Sequence, residues 1–401
     1  LQLPARAQRS PHDAREARLE GFSRAELTRI EPLLADGAVF GLVDRSEGPL
    51  LPAVHLALRV DAPARVVAAV LSDPAGYPGV IPAVDAVEVT ERSGGVTGFT
   101  WRWHVPLGQL EGDAMLTALG GGGPRGARVV VERTAGDLGR GREVWRVLPR
   151  GPDASLLLLS SRIDARGASG LGRTSLRLNR AIEVATSVGL ALRMAEGAER
   201  RAGVSSSDPG DAPLTRPPID LGPLEPLMRR GDLFWLEATR GALRRVALMT
   251  RYNRTEAQVR EQMRDPRAVG PRIFSRSVRL EPEAGDEGRF AWHVDHPLIG
   301  ASGTMALRER ADDVIALDAL DGTLAGGRWR FVTTGLPSRA TGVLGWGRFD
   351  VGDLNPLLRD LVDADASLGS GLGAATWVAV AWALRQRLRH VPPTGVHRHM
   401  R

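Results

Sequence analysis

The second half of this chain repeats the first, and that constrains its fold more than any other feature. Pro32-Leu33-Leu34, followed by Gly37 and Phe40, returns as Pro226-Leu227-Met228, followed by Gly231 and Phe234. Asp73-Pro74 returns as Asp265-Pro266, and Phe99-x-Trp101 with Pro106-Leu107 returns as Phe290-x-Trp292 with Pro297-Leu298. Gly141-Arg142 and Trp145-Arg146 are answered by Gly327-Arg328 and Trp329-Arg330. Order and spacing hold with small slips, as loop insertions produce, so the chain is a duplication. Between the copies, Ser205-Ser206-Ser207-Asp208-Pro209-Gly210-Asp211 and Pro217-Pro218 form a stretch that cannot carry a packed core. The predicted division is a lead-in over 1–30, a domain over 31–202, a linker over 203–224 and a second domain over 225–392. A chain of 401 residues suits two domains.

Within the first copy the pattern reads strand, helix, several strands, then a long helix. His55 to Val60 alternates as a strand, and Asp61-Ala62-Pro63 opens a helix over Ala64 to Leu71, with proline where the first turn tolerates it. Six further strands are predicted: Val84–Glu91, Thr97–Pro106, Asp113–Leu119, Arg128–Thr134, Arg142–Leu148 and Ser155–Asp164. Arg173 to Arg201 then carries Leu176, Ile182, Val188, Leu192 and Met194 at near-helical spacing, and Asn355 to Leu388 is its counterpart. A long amphipathic helix after six or seven antiparallel strands must bury its apolar face on them. The expected fold class is α+β: two tandem helix-grip domains, each a curved antiparallel sheet around a long C-terminal helix. Ser23 to Leu34 in the lead-in also reads as helical.

Composition removes several kinds of chemistry. Lysine is absent, so all 53 basic residues are arginine, which excludes Schiff-base and phosphate-loop lysines. A net charge of +6 with interspersed signs gives no basic stripe, so nucleic acid is not an expected partner. The arginines read as a solvated surface or, alternatively, one that makes transient contact with anionic membrane headgroups. Zero cysteines exclude disulfides and thiolate chemistry. His293, Asp295 and His296 do not repeat in the first copy, where Arg102, His104 and Val105 stand, so no metal is expected. No cofactor motif is found: Gly120 to Gly123 before Pro124 reads as a hairpin tip. Asp113, Glu132, Asp137 and Arg162 are the candidates for acid–base work, and none sits in a catalytic motif. Glu132 is expected to face solvent, and Asp137 to hold a turn. Ala5-Arg6-Ala7 before Gln8 has the form of a signal-peptidase site, with Leu1 to Pro4 as its apolar stub, so a periplasmic or secreted location is the expectation and cytoplasmic the alternative. Gly371 to Leu384 is apolar but too short to span a bilayer.

The stretch Val60-Asp61-Ala62-Pro63-Ala64-Arg65-Val66-Val67, then Leu71-Ser72-Asp73-Pro74-x-x-Tyr77-Pro78-x-x-Ile81-Pro82 and Val87-Glu88-Val89, resembles the opening of START-like proteins. This superfamily, also called SRPBCC, includes polyketide cyclases, coenzyme Q-binding proteins and StAR-related lipid-transfer domains. Gly136-Asp137-Leu138-Gly139 with Trp145 is similar to a family strand pair. The resemblance covers most of residues 50 to 202 and implies fold more than activity. The second copy departs from it: Asn253-Arg254-Thr255-Glu256 replaces the Asp-Ala-Pro-Ala start, and no Tyr-Pro follows Asp265-Pro266.

Period two places Phe99, Trp101, Trp103 and Val105 on one strand face and Thr100, Arg102 and His104 on the other. With Tyr77 and Trp145, and with Trp292 and Trp377 in the second copy, these aromatics are the candidate ligand contacts; plain core packing explains them equally. The leading expectation is non-enzymatic binding or transport of a hydrophobic, lipid-like molecule. One alternative is a didomain polyketide aromatase/cyclase, which a buried, paired arginine and carboxylate in the cavity would favour and an all-apolar cavity would refute. Another is a protein-interaction module with a degenerate second pocket. The sequence names no protein partner.

Overall fold

A computed structural model describes residues 19–391 except 20, 46–50, 106–107, 124, 165–166, 171–180, 205–213, 240, 266–277, 283–287, 297–298, 311 and 351–355. The first half opens with α1 (Arg24–Ile30), which runs into a 3-10 segment over Glu31–Gly37. Ser23 and Glu26 form a capping box there, so the predicted lead-in helix begins where its cap stands. Next come β1 (Ala38–Asp44), β2 (Val54–Val60), α2 (Ala64–Leu71), β3 (Val84–Ser93), β4 (Val96–Val105), β5 (Gly108–Gly123), β6 (Gly126–Gly136), β7 (Arg140–Pro149), β8 (Ser155–Asp164) and α3 (Ile182–Arg201). The second half repeats this order with α4 (Leu221–Arg230), β9 (Gly231–Thr239), β10 (Ala242–Tyr252), α5 (Glu256–Met263), β11 (Val278–Pro282), β12 (Arg289–His296), β13 (Ile299–Glu309), β14 (Ile315–Ala319), β15 (Arg328–Gly335) and β16 (Thr341–Arg348). It ends in α6 (Pro356–Ala364) and α7 (Ala366–Arg389).

Each half is a helix-grip unit of eight antiparallel strands and a long helix. The two are not separate sheets, however: the sixteen strands among the described residues form one, in the order β11-β12-β13-β14-β15-β16-β10-β9-β1-β2-β8-β7-β6-β5-β4-β3. The join is the β1–β9 pair, where Phe40 lies opposite Trp235 and Gly41 opposite Phe234. Phe40 and Phe234 are equivalent in the repeat, so the join is two-fold symmetric. The Phe234 ring lies over Gly41, where any β-carbon would collide with it. Both faces of the join are covered. Val39, Val43, Phe234 and Leu236 face the layer containing α3 and α7, while Phe40, Leu42, Leu233 and Trp235 face the layer containing α1 and α4.

The long helices also pack on each other, through small residues. Gly371 of α7 meets the Ala185 carbonyl of α3, and Gly189 faces the Leu368 backbone. The helix expected over Asn355 to Leu388 is two helices: Asp365 caps α7 by accepting from the backbone N–H groups of Ser367 (3.0 Å) and Leu368 (3.3 Å). At 24 residues α7 is long and apolar enough, by length and composition alone, to cross a membrane, which corrects the expectation that this segment is too short. Burial of 72% of its most apolar stretch gives it a core role here. Asp232 of β9, 1% exposed, fixes α7 to the sheet. It accepts from Arg385 (2.7 Å), Trp382 Nε1 (3.1 Å) and Thr250 (2.6 Å). Burial pushes this carboxyl up, but Arg385 and Thr250 outweigh burial and hold it below the usual range. The predicted leader, residues 173–180 of the first long helix and the linker core at 205–213 lie outside the described residues.

Candidate functional site

A half-open cavity of about 120 Å³ lies between α3 and the inner face of the first-half sheet. Five of the seven predicted aromatics line it: Tyr77, Phe99, Trp101, Trp103 and Trp145. Strand alternation brings Phe99, Trp101 and Trp103 in from β4, leaving Arg102 and His104 exposed on the other face. Trp101 lies over Gly112 of β5, where a β-carbon would come within 2.7 Å of its ring. Tyr77 sits in a 3-10 segment, Pro74–Gly79, that follows α2. Its hydroxyl donates to the Leu71 carbonyl at 2.8 Å, and its ring meets Phe99 edge-on at 6.1 Å. Burial pushes that phenol up, so it stays protonated. Trp145 is 2% exposed and forms part of the floor.

Trp292 and Trp377 are elsewhere. Trp292 packs with Phe290, Val294 and Ala301 in a separate cluster in the second half. Trp377 fills the space between α7 and its own sheet, resting on Gly345 and Gly347 with its ring 5.5 Å from Phe331. The first-half site therefore gathers its aromatics from one copy. Part of its wall nevertheless comes from the other, because Asp365 and Leu368 at the start of α7 line the same cavity. Arg193 of α3 holds Asp365 there, with Nε at 2.8 Å and Nη2 at 2.7 Å from Oδ1.

The cavity floor also carries polar groups, which sequence reasoning missed. Arg133 of β6 and Glu143 of β7 both line it and pair at 3.3 Å with little solvent access. Gly141 leaves the room that the guanidinium occupies; a β-carbon there would meet Arg133 Nη2 at 2.7 Å. Glu143 lies directly across from Ser161 of β8. The Ser161 hydroxyl donates at 2.6 Å to Glu183 of α3, which is fully buried and whose other oxygen, Oε2, has no partner. Burial pushes the Glu183 carboxyl up to about 7, against the opposing pull of Arg133 and the Ser161 hydroxyl. Near neutrality it still carries a proton for part of the time. The signal was there in the strand parity that turns Glu132 outward, since it turns Arg133 inward with Val129 and Val131.

The other polar candidates are accounted for locally. Glu132 is exposed beside Arg142, and Asp113 is exposed. Asp137 holds its turn by accepting from the Glu111 N–H at 3.0 Å. His293 is exposed, and among the described residues no group of three His, Asp or Glu could hold a metal. On the opposite sheet face His55 meets Ser160 at 2.9 Å and Asp44 at 3.1 Å. Gly21 closes over that serine, with space for a β-carbon only 2.7 Å from Oγ, so the trio has no room for a substrate. A larger groove of about 670 Å³, between α1 and β7, is a surface feature of mixed polarity containing none of the predicted aromatics.

No family model and no curated protein matches the chain. Solved structures do. The Zhui aromatase/cyclase from Streptomyces sp. R1128 is 22% identical over 38% of this chain and 98% of its own, with a TM-score of 0.33. A STAR-related lipid transfer protein from Xanthomonas axonopodis is 19% identical over 42% of this chain and 95% of its own, with a TM-score of 0.33. The di-domain ARO/CYC StfQ of the steffimycin biosynthetic pathway is 11% identical over 84% of this chain and 98% of its own, with a TM-score of 0.29. The topology of this chain is, on its own strand order, that of two tandem helix-grip units.

Proposed function

We propose that the first half binds a small hydrophobic molecule in the cavity under α3, and that the second half closes and supports it. The carrying observation is the convergence of Tyr77, Phe99, Trp101, Trp103 and Trp145 on one concave space. Its volume sets the scale. An apolar cavity of about 150 Å³ holds benzene, so about 120 Å³ admits a single ring as it stands. A lipid or a fused-ring molecule needs α3 or the Tyr77 segment to move outward. Native mass spectrometry followed by organic extraction and lipidomics tests the reading. A stoichiometric hydrophobic passenger is expected; a protein that stays empty after incubation with lipid extract refutes it.

One observation favours a second reading, aromatase/cyclase chemistry on a bound polyketide. The floor is not all apolar, and Arg133–Glu143 is a buried, paired arginine and carboxylate. Turnover of a reduced polyketide surrogate into a cyclised product, lost in Arg133→Met, would establish it.

A further inference from the structure

The unused hydrogen-bonding capacity of the cavity points to a feature of its ligand. Trp103 Nε1 and Arg133 Nε are both buried, both belong to lining residues, and both lack a partner. The carboxylates that line the same space are committed. Glu143 faces Arg133, and Asp365 is held by Arg193 and by the first N–H groups of α7. Glu183, whose Oε2 also has no partner, is not among the lining residues, so the unmatched groups of the walls themselves are donors. A buried donor without a partner has given up water and gained nothing in return, so a ligand oxygen that reaches it is bound with little competition. Charge narrows the choice further. Arg133 is matched by Glu143, and Arg193 by Asp365 and Glu196, so an added anion would meet no unmatched cation.

We infer that the cavity selects ring-sized ligands carrying a neutral acceptor oxygen, a ketone, aldehyde, ester or quinone carbonyl, held by Arg133 Nε–H or Trp103 Nε1–H. This rests on the binding reading above and adds the ligand's chemistry to it. It also gives Trp103 a role that its ring alone does not explain, since phenylalanine would fill similar space without the N–H.

The test uses three single-ring probes of similar size: acetophenone, ethylbenzene and benzoate, titrated calorimetrically into the full chain. Acetophenone is expected to bind about tenfold tighter than ethylbenzene, the worth of one hydrogen bond to a buried donor, and tighter than benzoate. Trp103→Phe removes one donor and keeps a ring. Arg133→Met combined with Glu143→Gln removes the other without stranding a carboxylate. One of these variants is expected to abolish the preference for acetophenone over ethylbenzene, both probes being measured on that same variant. Equal affinities for acetophenone and ethylbenzene, or a preference surviving in both variants, would overturn the carbonyl anchor and leave the binding reading standing. If none of the three probes binds and native mass spectrometry finds no passenger, both fall together.

Discussion

Replacing Glu183 with glutamine should make the protein more stable, and only above a particular pH. In the folded chain the carboxyl is pushed from an ordinary 4.5 up to about 7. An acid whose folded pKa is raised binds its proton more tightly in the native state than in the unfolded one. Its contribution is therefore fully present below pH 4.5, fades through the interval and is lost once the pH passes 7. At about 1.36 kcal/mol per pKa unit, the interval amounts to about 3 kcal/mol of native-state stability. Glutamine keeps an oxygen to accept from Ser161 and carries no charge to bury, so Glu183→Gln loses this pH dependence. Urea denaturation of both proteins from pH 4.5 to 8 isolates the effect, because titrating groups that do not interact with Glu183 cancel in the difference. The variant's advantage should grow by about 3 kcal/mol across that range. A difference that stays flat with pH would refute the reasoning, showing that the buried carboxyl is either solvated or fully neutralised by Arg133.

Two structural predictions follow from contacts between the halves and within the second. Arg385→Met strands Asp232, 1% exposed, and should cost about 3–5 kcal/mol by denaturant titration; adding Asp232→Asn should restore much of that loss. Gly41→Ala drives a methyl group into the Phe234 ring at the sheet join and should cost about 1–3 kcal/mol, read as a lower melting temperature, whereas Gly95→Ala, in a left-handed turn with open space around it, should alter stability through backbone strain alone.

The parts legible in the sequence were those with a local period. Ala64–Leu71 was located to the residue because Asp61-Ala62-Pro63 opens it and Asp73-Pro74 ends it, and the inward set Phe99, Trp101 and Trp103 followed from alternation alone. β1 and β9 were not legible as strands. Ala38 to Val43 is buried on both sides, so its apolar run has no period and Gly37 and Phe40 registered only as marks of the repeat. The continuous sheet was missed with them. The contribution of Asp365 and Leu368 to a cavity in the other half was equally out of reach, because it depends on how α7 docks against Gly189 and not on any spacing near residue 365. Arg133 and Glu143 were within reach by parity, but their pairing depends on the register of β6 against β7.

The symmetric join between β1 and β9 has a consequence for how such a chain can arise. Because each strand meets the equivalent of itself, one copy on its own would present a self-complementary edge, and two copies would associate through it as an isologous dimer. Linking the copies end to end turns that association from one governed by concentration into one that is always made. It also occupies the edge. The strands left at the two ends of the described sheet are β3 and β11, so in the fused chain the β1 and β9 edges are not open to further copies.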